Sequence, residues 1–217
     1  EVIHLVNTGV ISQEEFMEIL PELSKNMANV SILLENLLAW SSSQLRGEVT
    51  SPENFEINNI LKYQKDLLDR IASDKEIKII IEDSAETWVH ADRTMIELVL
   101  RNIISNAVKF SKIGGEIKIS TEVQESEAKI CIQDFGVGMS EANLDKLKNG
   151  IAFTTKGQNN ESGTGLGHIL IREYLKKNKG TMEIISKENE GTKFCIFLPL
   201  QKKEMDRVSK PIELKNS

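Results

Sequence analysis

Between residues 12 and 45 the apolar positions Phe16, Leu20, Leu23, Met27, Val30, Leu34 and Leu37 follow one another at alternating steps of four and three. That 3.5-residue average keeps one narrow seam facing a partner helix, and it predicts a long helix in a bundle or coiled coil. Glu18, Lys25, Asn26, Asn29 and Glu35 surround much of the seam, which favours a bundle over a helix packed on its own domain. Ser12-Gln13-Glu14-Glu15 reads as a capping box that starts the helix. The polar, turn-rich run from Gly47 to Pro52 ends this helical region, 1–47, in a linker at 48–52.

From residue 53 the period changes repeatedly. The pattern predicts a helix over 57–72, strands over 76–82 and 87–91, and a long helix over 92–111 with Asp92 as its N-cap. Alternating strands over 116–122 and 128–134 follow, joined by a turn at 124–127. After a glycine-rich stretch at 136–167 comes a helix that ends near Lys179 and is stopped by Gly180. Strands over 181–187 and 192–198 close the unit across Asn189-Glu190-Gly191. Hairpins with helices between them imply an α+β fold, a two-layer sandwich with helices on one face of a mainly antiparallel sheet, over residues 53–200. Residues 201–217 form a charged tail without apolar periodicity.

With 40% hydrophobic and 28% charged residues, the 217-residue chain has the composition of a globular protein. Its net charge of −6 lacks the broad positive field on which nucleic-acid binding relies. No apolar run approaches a membrane span, so any membrane attachment is expected through segments outside this sequence. Cys131 and Cys195 both lie in strand-like apolar runs and read as small buried hydrophobes, which fits a reducing cytoplasm.

Three clusters carry candidate chemistry. Asp134-Phe135-Gly136-Val137-Gly138-Met139 follows directly on a strand whose alternation puts Asp134 on the face of Ile130 and Ile132. A carboxylate aimed into an apolar layer needs a partner, such as the exocyclic amine of a base, and glycines beside it let a ligand approach the backbone. Taken alone, the motif is equally an Asp-Gly turn. Gly163-Thr164-Gly165-Leu166-Gly167 opens the following helix, where free amides and the positive end of the helix dipole favour a phosphate. Asn102, Asn106 and Lys109 share one face of the helix from Asp92. Amide oxygens suit a partly hydrated Mg²⁺ that bridges phosphates, to which Lys109 adds positive charge.

In this order the clusters resemble the N, G1 and G2 boxes of the GHKL (Bergerat-fold) ATPases, and within them the sensor histidine kinases. The resemblance rests on Asn102-Ile103-Ile104-Ser105-Asn106-Ala107-Val108-Lys109-Phe110 and on the two glycine motifs. It closes with Gly191-Thr192-Lys193-Phe194 and Leu198-Pro199-Leu200. It implies that Asn106 ligates Mg²⁺, that Asn102 and Lys109 contact phosphates, and that Asp134 bonds the adenine amino group of ATP. By the same resemblance Gly136 and Gly138 shape the adenine pocket, and Gly163, Thr164, Gly165, Leu166 and Gly167 hold the phosphate chain. The resemblance also implies that Met139, Thr192 and Lys156 belong to the same nucleotide site. Residues 149–162 match the ATP lid, with Phe153 the remnant of its F box.

The helix over 13–45 resembles the second helix of the family's dimerisation and histidine-phosphotransfer region, and implies a homodimer and a response-regulator receiver domain as partners. The resemblance further implies a cytoplasmic, ATP-dependent protein histidine kinase. Within enzymes the alternative is a GHKL serine kinase of the anti-sigma type; outside them it is a non-catalytic nucleotide-binding or dimerisation module. The family's acceptor histidine is followed at once by Asp or Glu, whereas His4 is followed by Leu5-Val6, and His90 and His168 sit at a strand end and a helix start. No acceptor is therefore expected in this chain, and the phosphorylated histidine is expected upstream of Glu1.

Overall fold

The computed structural model describes residues 50–151 and 166–201, together with residues 12, 14–21, 23, 27, 30 and 34 of the N-terminal region. The latter are helical from residue 14 onward, and the capping box forms as read. Ser12 N donates to Glu15 Oε2 at 2.8 Å and Glu15 N to Ser12 Oγ at 3.1 Å. Of the seam, Leu20, Leu23, Met27, Val30 and Leu34 are exposed, Met27 to 67% and Leu34 to 54%.

The elements that follow are β1 (Glu53–Glu56), α1 (Ile57–Ser73), β2 (Lys78–Ile81), β3 (Trp88–Ala91), α2 (Arg93–Phe110), β4 (Glu116–Gln124), β5 (Glu127–Asp134), α3 (Glu141–Lys148), α4 (Leu166–Lys177), β6 (Thr181–Lys187) and β7 (Gly191–Pro199). Five strands form one sheet in the order β2-β4-β5-β7-β6, parallel between β2 and β4 and antiparallel elsewhere. α1 packs on β2, α2 on β5 and α4 on β6, so one face carries the helical layer and the fold is the two-layer α+β sandwich expected. Ile57, Ile60, Leu61, Ile96, Leu100 and Ile104 from the helices meet Ile117, Ile119, Ile130 and Ile132 from the sheet, all fully buried. Each such side chain contributes about 1.5–3 kcal/mol of burial free energy.

Two elements differ from the sequence reading. β1 pairs antiparallel with β3 in a separate two-stranded sheet, and α3 rises out of the glycine-rich stretch. One expectation is corrected. Cys131 and Cys195 occupy directly paired positions of β5 and β7, their Cα atoms 4.1 Å apart, and form a disulfide. They are buried, as read, but they are one cross-link rather than two separate hydrophobes, and they no longer argue for a reducing compartment.

Two polar contacts fix the helices that frame the site. Asp92 caps α2, its carboxylate accepting from Met95 N at 3.1 Å. Buried Asn178, just past α4, accepts from Asp92 N at 2.5 Å and donates to Tyr174 O at 2.8 Å, joining the end of α4 to the start of α2.

Candidate nucleotide-binding site

The apolar face of α2, with Val99, Ile103, Ile104, Ala107 and Val108, is buried. Helical spacing therefore turns Asn102, Asn106 and Lys109 to its other side, where all three are half-buried. Asn102 Nδ2 donates back to Leu98 O at 2.8 Å, and its Oδ1 lies against Gly167 in the first turn of α4. A Cβ on residue 167 would stand 2.8 Å from that oxygen, so α4 begins this close to α2 because position 167 has no side chain. Leu166 and Gly167, the described part of the second glycine motif, are thus brought beside the asparagine face. Lys109 Nζ lies 4.9 Å from the centroid of the Phe110 ring.

Asp134 ends β5 facing the helical layer and is 5% exposed. Its Oδ1 accepts from Gly136 N at 2.9 Å. Burial pushes its pKa up from 3.8 to about 6, while hydrogen bonds from the backbone N–H groups of Gly136 and Thr192 pull in the opposite direction. A buried carboxylate of this kind gains by accepting a further hydrogen bond.

The loop after Asp134 is stitched to both neighbours. Val137 N donates to Phe110 O at 3.2 Å on the α2 side, and Asn189 N to Val137 O at 2.7 Å on the side of the β6–β7 turn. Gly136 lies against the Phe110 carbonyl, where a Cβ would approach to 2.0 Å. Gly138 has φ +61, and a Cβ there would stand 1.9 Å from Lys187 O, so only glycine fits the turn. Met139 N donates to Ser186 Oγ at 2.9 Å, and that hydroxyl also donates to Gly191 O at 3.0 Å and lies 2.9 Å from Thr192 Oγ1.

Asn102, Asn106, Lys109, Asp134, Gly136, Gly138, Met139, Leu166, Gly167 and Thr192 therefore belong to adjoining segments. Phe153, Lys156, Gly163, Thr164 and Gly165 lie outside the described residues, as does His4. Among the described residues no cluster of three or more His, Cys, Asp or Glu can hold a metal. A single amide oxygen such as Asn106 Oδ1 instead suits a Mg²⁺ that arrives with its own waters and phosphate ligands.

Two residues, Ser186 and Arg172, escaped the sequence reading, and a third, His168, was read only as a histidine at a helix start. Ser186 had a signal, a hydroxyl on the core-facing side of β6 two positions from buried Ile184. Arg172 of α4 donates to Leu147 O at 2.9 Å and Lys148 O at 2.6 Å, capping α3. His168, stacked on Phe194 with ring centroids 6.5 Å apart, has its pKa lowered to about 4, first by burial and then by the Arg172 charge, and is neutral at physiological pH.

A buried carboxylate closing a central strand, set beside an asparagine-lysine helix face, is an arrangement for holding a nucleotide. This chain belongs to the histidine kinase-, DNA gyrase B-, and HSP90-like ATPases, whose family model matches residues 91–202, just over half of its length. Within that family its relatives are sensor kinases. It is 31% identical over 115 residues to the histidine protein kinase DivJ of Caulobacter vibrioides, covering 53% of this chain and 19% of DivJ. It is 25% identical over 223 residues to the sensor histidine kinase WalK of Bacillus subtilis, covering 94% of this chain and 36% of WalK. The chain thus spans well under half of these relatives. Among solved structures it resembles the nucleotide-free catalytic domain of histidine kinase ThkA, with 27% identity and a TM-score of 0.61 over 70% of this chain and 99% of that one.

Proposed function

We propose that this chain is the ATP-binding catalytic portion of a two-component sensor histidine kinase, and that it donates the γ-phosphoryl group of Mg-ATP to a histidine outside its own sequence. The observation that carries this reading is the buried Asp134 carboxylate, held by the Gly136 and Thr192 amides beside the Asn102, Asn106 and Lys109 face. In this reading Asp134 accepts a hydrogen bond from the adenine amino group. Gly136, Gly138, Met139 and Thr192 shape the base pocket, and Lys109 and Asn102 contact phosphates. The Gly163–Gly167 motif is assigned to the phosphate chain, and Phe153 and Lys156 to the lid over the nucleotide. Asn106 Oδ1 would hold Mg²⁺, which offsets the charge of the phosphates during transfer.

The described histidines are poor acceptors. His90 Nδ1 is paired with Asn54 Oδ1 at 2.8 Å on the outer two-stranded sheet, and His168 is stacked on Phe194 in the helical layer. An acceptor must be held in line with the γ-phosphate. The serine-kinase and non-catalytic alternatives find no support among the named relatives, which are histidine kinases.

We further assign the N-terminal seam, whose Met27, Val30 and Leu34 are exposed, to a homodimer. The phosphoryl group then passes to a response-regulator receiver domain; ThkA, a fold neighbour at 20% identity and TM-score 0.65, is known in complex with response regulator protein TrrA. No helix among the described residues is long and apolar enough to cross a membrane. A cytoplasmic site of action is part of this proposal and is supported by the ATP-binding reading alone, since the Cys131–Cys195 disulfide gives no argument for a reducing compartment. Incubation with γ-labelled ATP is expected to leave no acid-labile label on this chain and to label a separate helical bundle carrying an acceptor histidine. Stoichiometric label on this chain that disappears in His4→Gln refutes the assignment.

A further inference from the structure

The last four carbonyls of a helix have no partners within it, and buried ones must find them elsewhere. In α2 these belong to Ala107, Val108, Lys109 and Phe110. Ala107 O accepts from Ser111 N at 3.0 Å and Ser111 Oγ at 2.7 Å, and Phe110 O from Val137 N at 3.2 Å. The two between them, Val108 O and Lys109 O, are both served by Lys75 Nζ, at 3.2 Å each.

Lys75 comes from the turn after α1 and is 6% exposed, unusual for an ammonium group. Its backbone is fixed as well, Lys75 N donating to Ala72 O at 3.0 Å and Lys75 O accepting from Gly114 N at 3.0 Å. The position is electrostatically favourable, because the C-terminal end of α2 carries the negative end of the helix dipole.

We propose that Lys75, which lies outside every nucleotide-binding motif, is a positioning residue of the nucleotide site that holds the last turn of α2 and thereby the Lys109 side chain. The inference rests on the Mg-ATP reading above. Helix ends fray unless something holds their terminal carbonyls, and a phosphate contact carried on a frayed turn is misplaced by more than catalysis or tight binding tolerates. The adenine side meets that turn at Phe110 O, through Val137 N, but has three supports independent of it: Gly136 N donates to Asp134 Oδ1, Asn189 N to Val137 O, and Met139 N to Ser186 Oγ. Loss of the Lys75 ammonium is therefore felt at the phosphates and little at the base.

The test compares calorimetric affinities of the full 217-residue chain for Mg-ATP and for adenosine. Lys75→Met is expected to weaken Mg-ATP roughly fivefold, in the range for residues that act without touching ligand, and adenosine by less than about twofold. Lys75→Gln, which keeps an N–H donor group and drops the charge, is expected to fall between wild type and Lys75→Met, and decides the question should the methionine variant not fold. A merely structural lysine lowers the melting temperature and leaves the ratio of the two affinities unchanged, and that result overturns the proposal. A wild-type chain that binds neither ligand overturns the nucleotide site itself, whereas wild-type binding with an unchanged ratio in the folded variants overturns only the role of Lys75.

Discussion

Asp134 is ionised in the folded chain only at a cost, since burial raises its pKa from 3.8 to about 6. A raised folded pKa means that the folded chain holds the proton more tightly than the unfolded one does. The stability this gives is fully present below about pH 3.8 and is lost as pH rises through about 6. With those two values the linkage relation gives a loss on the order of 1 kcal/mol between pH 5 and pH 7, and on the order of 2 kcal/mol between pH 4 and pH 7. Asp134→Asn keeps the shape and an oxygen for Gly136 N but cannot titrate. Whatever constant offset the amide introduces, wild-type stability minus variant stability is expected to fall by these amounts as pH rises. Urea denaturation of both chains at pH 4, 5, 6 and 7 without nucleotide reads the difference, in which other titrating groups cancel. Mg-ATP should abolish the slope, because an adenine amino group donating to the carboxylate keeps it ionised, and binding near pH 6 should release a proton. A stability difference independent of pH refutes the desolvated-carboxylate account.

Gly138→Ala forces a side chain into φ +61 and a Cβ to within 1.9 Å of Lys187 O, two backbones with no room to give. A loss of about 2–4 kcal/mol by urea denaturation is expected, with weaker Mg-ATP binding, and a change under about 0.5 kcal/mol contradicts the assigned turn. Leu34→Glu places a charge on the exposed N-terminal seam and is expected to shift sedimentation toward monomer; a wild-type monomer at high concentration, unchanged by the substitution, removes the dimer assignment.

What was legible in the sequence was what local chemistry decides. The Ser12–Glu15 capping box, the Asp92 cap on Met95 N and the burial of Asp134 all follow from spacing within a few residues, and each is present. β1 escaped because four residues, Glu53-Asn54-Phe55-Glu56, are too few for alternation to stand out, and its strand character comes from pairing with β3. α3 carries a Ser140 N-cap and the Leu144–Leu147 step, but the glycines on both sides masked them. The disulfide depends on a register between strands whose cysteines are 64 residues apart, which neither strand encodes alone. Lys75 and Arg172 were invisible for a related reason, since both act on main-chain carbonyls of distant helix ends and such partners leave no residue signature. The nucleotide motifs, being contiguous, were readable; the supports that hold them in place were not.

The central claim is that α2, the loop after Asp134 and the start of α4 together form a Mg-ATP site, and calorimetric titration of the full chain tests it most directly. Saturable one-site binding of Mg-ATP is expected for the wild type. It should be lost in Asp134→Ala, where the acceptor for the adenine amine is gone, and in Asn106→Ala the residual affinity should no longer respond to Mg²⁺. Wild-type-like titrations of both variants, or no binding by the wild-type chain, contradict the account.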